Sequence, residues 1–246
     1  MITEMKILAL DTTSSTLSVA LLHNNQILAK NTIYENGKQA ELLIPEIEKI
    51  LTQNKIWYQD LDLIAATNGP GSFTGTRIGL TVARTLKIAT NLPLMLLNSC
   101  EVIAYKYREC AEKIFVVLDA RADEFFYAEF ERQILKQVRD DDGGSVYSYC
   151  HPELVSGSVT PQLSSLDDLE NILPTTNFFL CGSGKKIAAK ILSEKNVKFE
   201  MSEEEDVIEA DLVGLLALEK FGNSAEFSEN LDPIYLRSPR ISERKK

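Results

Sequence analysis

The chain has 246 residues, which suits one large domain or two small ones with a substantial buried core. Hydrophobic residues make up 44% and charged residues 25%, as in ordinary globular proteins, and the net charge of −10 excludes a molecule drawn as a whole to polyanions. Any nucleic acid it serves must be met by a local basic patch or by a partner.

Residues 6–10 read as a strand, residues 17–22 as a second, and a polar loop of Asp11, Thr12, Thr13, Ser14 and Ser15 joins them. His23, Asn24 and Asn25 make a tight turn, because asparagine tolerates positive φ, and residues 26–33 continue as a third strand of an antiparallel meander. The spacing predicts a helix over 39–53, with Leu43, Ile47, Ile50 and Leu51 on one face and Ala40 and Ile44 on another. Two apolar faces imply more than one packing partner. Residues 61–67 read as a buried strand and lead into the glycine-rich run 68–79. A helix begins there, with Ile78, Val82, Leu86 and Ala89 at helical spacing.

The second half repeats this plan. Asp119 follows an apolar run as Asp11 does, 108 positions earlier, and Phe125 and Phe130 fall at the same offset from Leu17 and Leu22. Gly182-Ser183-Gly184 follows the apolar run 178–181 as Gly69-Pro70-Gly71 follows 61–67, here 113 positions apart. Two matches in the same order point to a duplicated unit, with a division at 1–105 and 106–246. The stretch 140–161 is rich in Ser, Gly and Asp, carries no period, and reads as an exposed, functionally idle insertion. Glu203, Glu204, Glu205 and Asp206 read as a solvated acidic cap before a helix over 207–221. The tail 232–246, expected to pack on the first half, gathers Arg237, Arg240, Arg244, Lys245 and Lys246, a local charge that suits tRNA phosphate or a solvated terminus.

Neither glycine turn is a Walker loop: Gly69 and Gly75 lack the following lysine, and position 179, ahead of Gly182 to Lys186, is Phe. A dinucleotide fingerprint also fails, since the first strand leads into a hairpin. What remains is a strand, a glycine turn and a helix N-terminus, found twice. For Gly182, Ser183 and Gly184, with Asp119 as the acid that matches Asp11, an anion site and a tight connection are both open. The loop of Asp11, Thr12, Thr13 and Ser14 suits a phosphate with a magnesium ion near the acid, or a polar turn bonded to its own backbone.

Gly75, Gly79 and Ala83 fall at i, i+4 and i+8, so one face of the second helix has almost no side chains. Each glycine inside a helix costs about 1 kcal/mol relative to alanine. Such a strip admits a close backbone neighbour, from the same fold or from another protein. Arg77, Arg84 and Lys87 would ring that contact with charge.

Cys100, Cys110, Cys150 and Cys181 form no CxxC pair and fit scattered reduced thiols. The first apolar run stops at Asp11 after four residues, too short for a signal peptide, and no apolar run nears the roughly 20 residues of a membrane span. Cytoplasm is the expected compartment.

The segments LALDTTSSTLSVALL, QAELLIPEI, NGPGSFTGTRIGLTVARTLKIA, VVLDARADEFFYAEF and PIYLR resemble the small, non-catalytic paralogues of the TsaD family, from Met5 to about Arg237 apart from 140–161. The resemblance implies an α/β actin-like ATPase fold (ASKHA, ribonuclease H-like), with two duplicated subdomains, each a mixed sheet with flanking helices. It also implies a role in forming N6-threonylcarbamoyladenosine at position 37 of tRNAs that read codons starting with A. In that pathway threonylcarbamoyl-adenylate is made first, and a TsaD-like catalytic subunit transfers the group to tRNA.

The paralogue pairs with that subunit through its N-terminal helices, a TsaE-like ATPase joins, and tRNA is met through the complex. Ala40, Ile44, Gly75, Arg77, Gly79, Val82, Ala83 and Leu86 are the expected interface, with a homodimer when the partner is absent. On that expectation Gly79→Leu abolishes co-purification and leaves the monomer folded. The catalytic paralogue carries a His-x-x-x-His metal site, and the matching stretch 97–102 here has no histidine. Gln39 stands where histidine is common in relatives. No catalytic residue, bound metal or tightly held cofactor is therefore expected in this chain, while ATP or ADP with magnesium could act in the complex.

Two rivals come from other classes. A small-molecule kinase or ATPase of the same fold lacks an obvious second catalytic carboxylate, and ATP turnover by the chain alone would favour it. A protease, the activity once attached to the wider family, has no metal pair and no usable histidine, since His23 lies in a turn and His151 in the insertion.

Overall fold

The structure is a computed structural model that describes residues 4–35, 37–120, 124–132, 154–156, 161–174, 177–222 and 232–234. The first apolar run forms β1 (Lys6–Asp11), paired antiparallel with β2 (Leu17–His23), which pairs antiparallel with β3 (Gln26–Ile33). Asn24 takes φ +54 in the turn, and its side chain accepts from the Met5 N–H at 2.9 Å. Helix α1 (Gln39–Gln53) buries Leu43, Ile47, Ile50 and Leu51, the face its spacing predicts. Then β4 (Leu63–Thr67), α2 (Phe73–Thr90), β5 (Leu94–Leu97) and α3 (Ser99–Lys106) complete a first unit. Its sheet runs β3-β2-β1-β4-β5, with β1-β4 and β4-β5 parallel.

The second unit repeats the first. Its elements are β6 (Lys113–Asp119), β7 (Glu124–Arg132), β8 (Leu154–Ser156), β9 (Gln162–Ser165), α4 (Leu166–Ile172), β10 (Phe179–Cys181), α5 (Lys185–Glu194), β11 (Glu200–Met201) and α6 (Ala210–Gly222). The sheet runs β11-β10-β6-β7-β8, with β6-β7 antiparallel and β6-β10 and β10-β11 parallel. The place of β3 is divided between two short strands: β9 pairs with the start of β7 and β8 with its end. This is the ribonuclease H-like arrangement present twice, the actin-like ATPase fold of two mixed sheets with flanking helices.

The strands read as continuous apolar runs because both sheet faces are covered. Along β1, Ile7 and Ala9 enter a central core while Leu8 and Leu10 enter an outer one. Helices α1 and α2 close the outer core of the first sheet, and residues of α4 and α5 join a third core on the outer face of the second. The central core lies between the sheets and is filled by the last helix of each unit, exchanged: α6 packs on β1 and β2, and α3 on β6 and β7. Gly214 of α6 sits so close to Leu22 that a methyl there would overlap its side chain. Lys30 of β3 pairs with Glu209 at 3.0 Å and Asp211 at 2.9 Å, fixing the start of the same helix.

Some expectations need correction. Helix α6 starts at Ala210 and not at 207, because residues 206–208 are spent on a buried connection described below. Within 140–161, residues 154–156 form β8 on the edge of β7, so that part is sheet and not loop. Residues 140–153 and 157–160 lie outside the described residues, as do the tail residues beyond 234 with their five basic side chains. The described tail lies against the first unit, where the Ile234 N–H donates to the Asn68 carbonyl at 2.8 Å and Arg84 meets Asp232 at 3.3 Å. Among the described residues no helix is long and apolar enough to cross a membrane.

Candidate functional site

Strands β4 and β10 end in the same turn. Gly69 has φ +95 and Gly182, its match in the repeat, has φ +102, a region that glycine enters without strain. After the first turn, α2 starts on an Ser72 cap whose side chain accepts from the Gly75 N–H at 3.2 Å. The loop after β1 lies directly beneath. The Ser72 N–H donates to the Thr13 carbonyl at 2.7 Å, and the Thr12 hydroxyl donates to the Gly75 carbonyl at 2.7 Å. A methyl at Gly75 would overlap the Thr12 carbonyl oxygen, and one at Gly79 would overlap the Thr12 hydroxyl.

The bare strip of α2 is therefore filled by the chain's own loop, which corrects the expectation of a surface there. Gly75, Gly79 and Ala83 are all buried, and the close neighbour is Thr12 together with the outer core. Of the other expected interface residues, Val82 and Leu86 are half-buried against that core, while Ala40, Ile44 and Arg77 are exposed. The outward face of α2 carries exposed residues outside the expected set. Phe73 is 42% exposed and Ile88 82%, Arg77 stacks over the Phe73 ring at 3.7 Å, and Ile44 on the neighbouring α1 is 55% exposed. Their signal was available in the sequence, since 73, 77, 81, 84 and 88 form one helical stripe.

Asp11, the expected phosphate-loop acid, is fully buried, and both its oxygens are taken. Oδ1 accepts from the Thr13 N–H at 3.1 Å, the Thr13 hydroxyl at 2.6 Å and the Thr67 hydroxyl, and Oδ2 accepts from Ser14 at 3.3 Å. Burial pushes the carboxyl above its ordinary value, against the pull of those hydrogen bonds. Thr13 also meets Ser99 at 3.0 Å. For Asp11 and Thr12 the polar-turn alternative holds, and of this loop Thr13, Ser14 and Ser15 reach the cleft.

The cleft is a cavity of about 880 Å³ between the two glycine turns. Asp119, Ser183 and Gly182 line its other side, and the Ser183 hydroxyl accepts from the Asp119 N–H at 3.0 Å. Both expected loops thus face one space. Gly184 backs onto β6, its N–H donating to the Val117 carbonyl at 2.9 Å. The Gly182 N–H donates to Asp206 Oδ2 at 2.7 Å, and the Lys185 ammonium meets the same oxygen at 2.8 Å. Tyr107 donates to Asp206 Oδ1, and Ser202 Oγ lies 3.1 Å from it. Asp206 is therefore a buried, ion-paired carboxylate and not part of a solvated cap, whereas Glu203, Glu204 and Glu205 are exposed on the cleft lip. Sequence reading misses Asp206, Lys185 and Tyr107, because nothing in a run of four acids marks which one turns inward.

An actin-like fold implies a magnesium nucleotide in this cleft; Asp119 stands exposed on its wall, but the first loop's acid and the second turn do not fit one. The first-turn acid is sealed behind its own loop, and the second turn's first N–H already holds a carboxylate. At the head of α3, the i and i+4 positions are Ser99, buried and bonded to Thr13, and Ile103, which lines the cleft. Neither can ligate as imidazole does.

Residues 35–223 match the family described as "TsaD: tRNA N6-adenosine threonylcarbamoyltransferase". The "tRNA threonylcarbamoyladenosine biosynthesis protein TsaB" of Bacillus subtilis (strain 168) is 32% identical over 139 residues, 56% of this chain and 61% of that protein. The Haemophilus influenzae protein of the same name is 26% identical over 236 residues, 95% of this chain and 94% of that one. A crystal structure from Pseudomonas aeruginosa, of "an uncharacterized protein with similarity to peptidase YEAZ", superposes with a TM-score of 0.73 at 25% identity, covering 95% of this chain and 100% of that one.

Proposed function

The chain belongs to the TsaD family, and from that premise we propose that it acts in tRNA threonylcarbamoyladenosine biosynthesis as a non-catalytic subunit. Relatives named for that pathway along most of their length support the role. The single observation that carries the non-catalytic reading is that Asp11 and Asp206, the acids beside the two glycine turns, are both consumed inside the protein. That leaves Asp119 and the lip glutamates as the exposed acids of the cleft. The kinase or ATPase alternative needs an acid open to substrate and would have to use Asp119 or the lip glutamates; ATP turnover by the chain alone, lost in Asp119→Asn, would favour it.

On this proposal the subunit pairs with a TsaD-like catalytic protein through the outward face of α1 and α2. Exposed Ile44, Phe73 and Ile88 supply apolar contact, with Arg77 at their side. Without the partner, two copies pair through the same face. A TsaE-like ATPase joins the heterodimer, nucleotide serves the complex and not this chain, and tRNA is bound through the catalytic subunit.

The test is a pull-down and titration with the cognate catalytic subunit, followed by tRNA modification assays with each component omitted. Ile44→Asp combined with Ile88→Asp is expected to keep the melting temperature and circular dichroism of the parent. It should weaken the complex by about 30-fold or more, as loss of an apolar hot spot does, and reduce modification in parallel. Parental affinity in the folded double variant refutes this surface.

A further inference from the structure

The second glycine turn holds an anion that the protein supplies to itself. We propose that Asp206 is the resident ligand of a masked oxyanion site, and that a tetrahedral dianion of the inorganic phosphate class takes the seat once the carboxylate is removed. The site consists of the Gly182 N–H, the Lys185 ammonium and the hydroxyls of Tyr107 and Ser202. This inference concerns the cleft alone and does not rest on the partner surface.

The donor set has the chemistry of a phosphate site. A main-chain N–H at the head of a strand, glycine turn and helix points inward, and the first residue of α5 adds an ammonium. Two hydroxyls complete the seat, and each carboxylate oxygen meets two of these four groups. The ion pair is almost dry, with the Lys185 side chain 5% exposed and that of Asp206 0%. The Lys185 ammonium also donates to the Ser202 hydroxyl at 2.6 Å and to the Glu204 carbonyl. These neutral acceptors supply no counter-charge, and a buried ammonium without one is strongly unfavourable, so the seat favours an anion.

The carboxylate is not a local accident. It is delivered 24 residues after Gly182, across β11. The chain from 206 to 208 stays out of helix and partly buried, and α6 begins only at Ala210. Occupation of the seat from within explains why a cleft of actin-like outline does not fit a nucleotide phosphate on this side.

The experiment is thermal unfolding of the full chain carrying Asp206→Ala, in inorganic phosphate and in sodium chloride of equal ionic strength. The parent protein in the same buffers measures the general salting effect of phosphate. The variant is expected to melt below the parent in chloride and to regain about 3–5 °C with saturable phosphate dependence, the shift for tenfold excess over Kd in a chain of this size. The parent should show no saturable shift, and adding Lys185→Met to the variant should abolish it. A purely structural ion pair predicts a loss that phosphate does not repair, and that result overturns the proposal. An equal saturable shift in the parent or in the double variant overturns it too. If Asp206→Ala does not accumulate as folded protein, refolding from denaturant decides: recovery in phosphate over chloride supports the site, and equal yields reject it.

Discussion

Thr12 decides what the glycines of α2 are for. In an exposed helix, Gly→Ala stabilises by about 1 kcal/mol, because alanine has the better helix propensity. At Gly75 the sign reverses, since the new methyl would meet the Thr12 carbonyl, which is main chain and cannot swing aside. Gly75→Ala is expected to lower the unfolding free energy by about 1–3 kcal/mol, the range of an overpacked core. Gly79→Ala should cost less, because its obstacle is a hydroxyl that can rotate away after giving up its bond to the Gly75 carbonyl. Urea denaturation of the two variants checks the order, and a stabilised Gly75→Ala contradicts this packing. The need for small residues at 75, 79 and 83 was legible in the sequence. Their neighbour was not, because a bare helical strip looks alike whether a subunit or a loop 63 residues earlier lies on it. It also follows that Gly79→Leu would damage the fold itself and so cannot serve as a test of partner binding.

Between elements, the decisive feature is the exchange of α3 and α6. The meander, the first two helices and the second glycine turn were legible from period and turn chemistry, and the repeat was legible from matched offsets. The short pieces β5, β8, β9 and β11 carry too few residues for a period, and their strand state comes from neighbours in the sheet. The exchange was hidden for another reason. Helix α6 has buried residues around much of its girth, with Leu212, Leu215 and Leu218 also packed on the core, so its sequence announces burial but not a partner. A consequence is that the first unit is complete in topology and incomplete in packing. Fragment 1–106 would present Ile7, Ala9, Ala20 and Leu22 to water where α6 belongs. We expect this fragment to bind a hydrophobic dye and unfold without cooperativity, while the full chain does neither. A dye-silent, cooperatively melting fragment would show that α6 is dispensable to the first sheet.

For the whole molecule, charge sets the terms on which tRNA can be met. The net charge of −10 acts against a polyanion at long range, and Glu203, Glu204 and Glu205 add three exposed acids at the cleft lip. Binding to nucleic acid draws most of its affinity from phosphate neutralisation and counterion release, so a surface of this sign gains little of either. The isolated chain is therefore expected to leave labelled tRNA free at about 150 mM salt and at concentrations where basic proteins bind non-specifically, about 1–100 μM. Addition of the catalytic subunit should bring tRNA into the complex. Replacing the three lip acids with glutamine should then leave the slope of log affinity against log salt unchanged, because that slope counts phosphates neutralised by the partner. Fluorescence anisotropy over a salt series measures both. Tight, steeply salt-dependent binding by the chain alone would move the tRNA contact onto this subunit, and its five basic residues between 237 and 246 would be the first place to look.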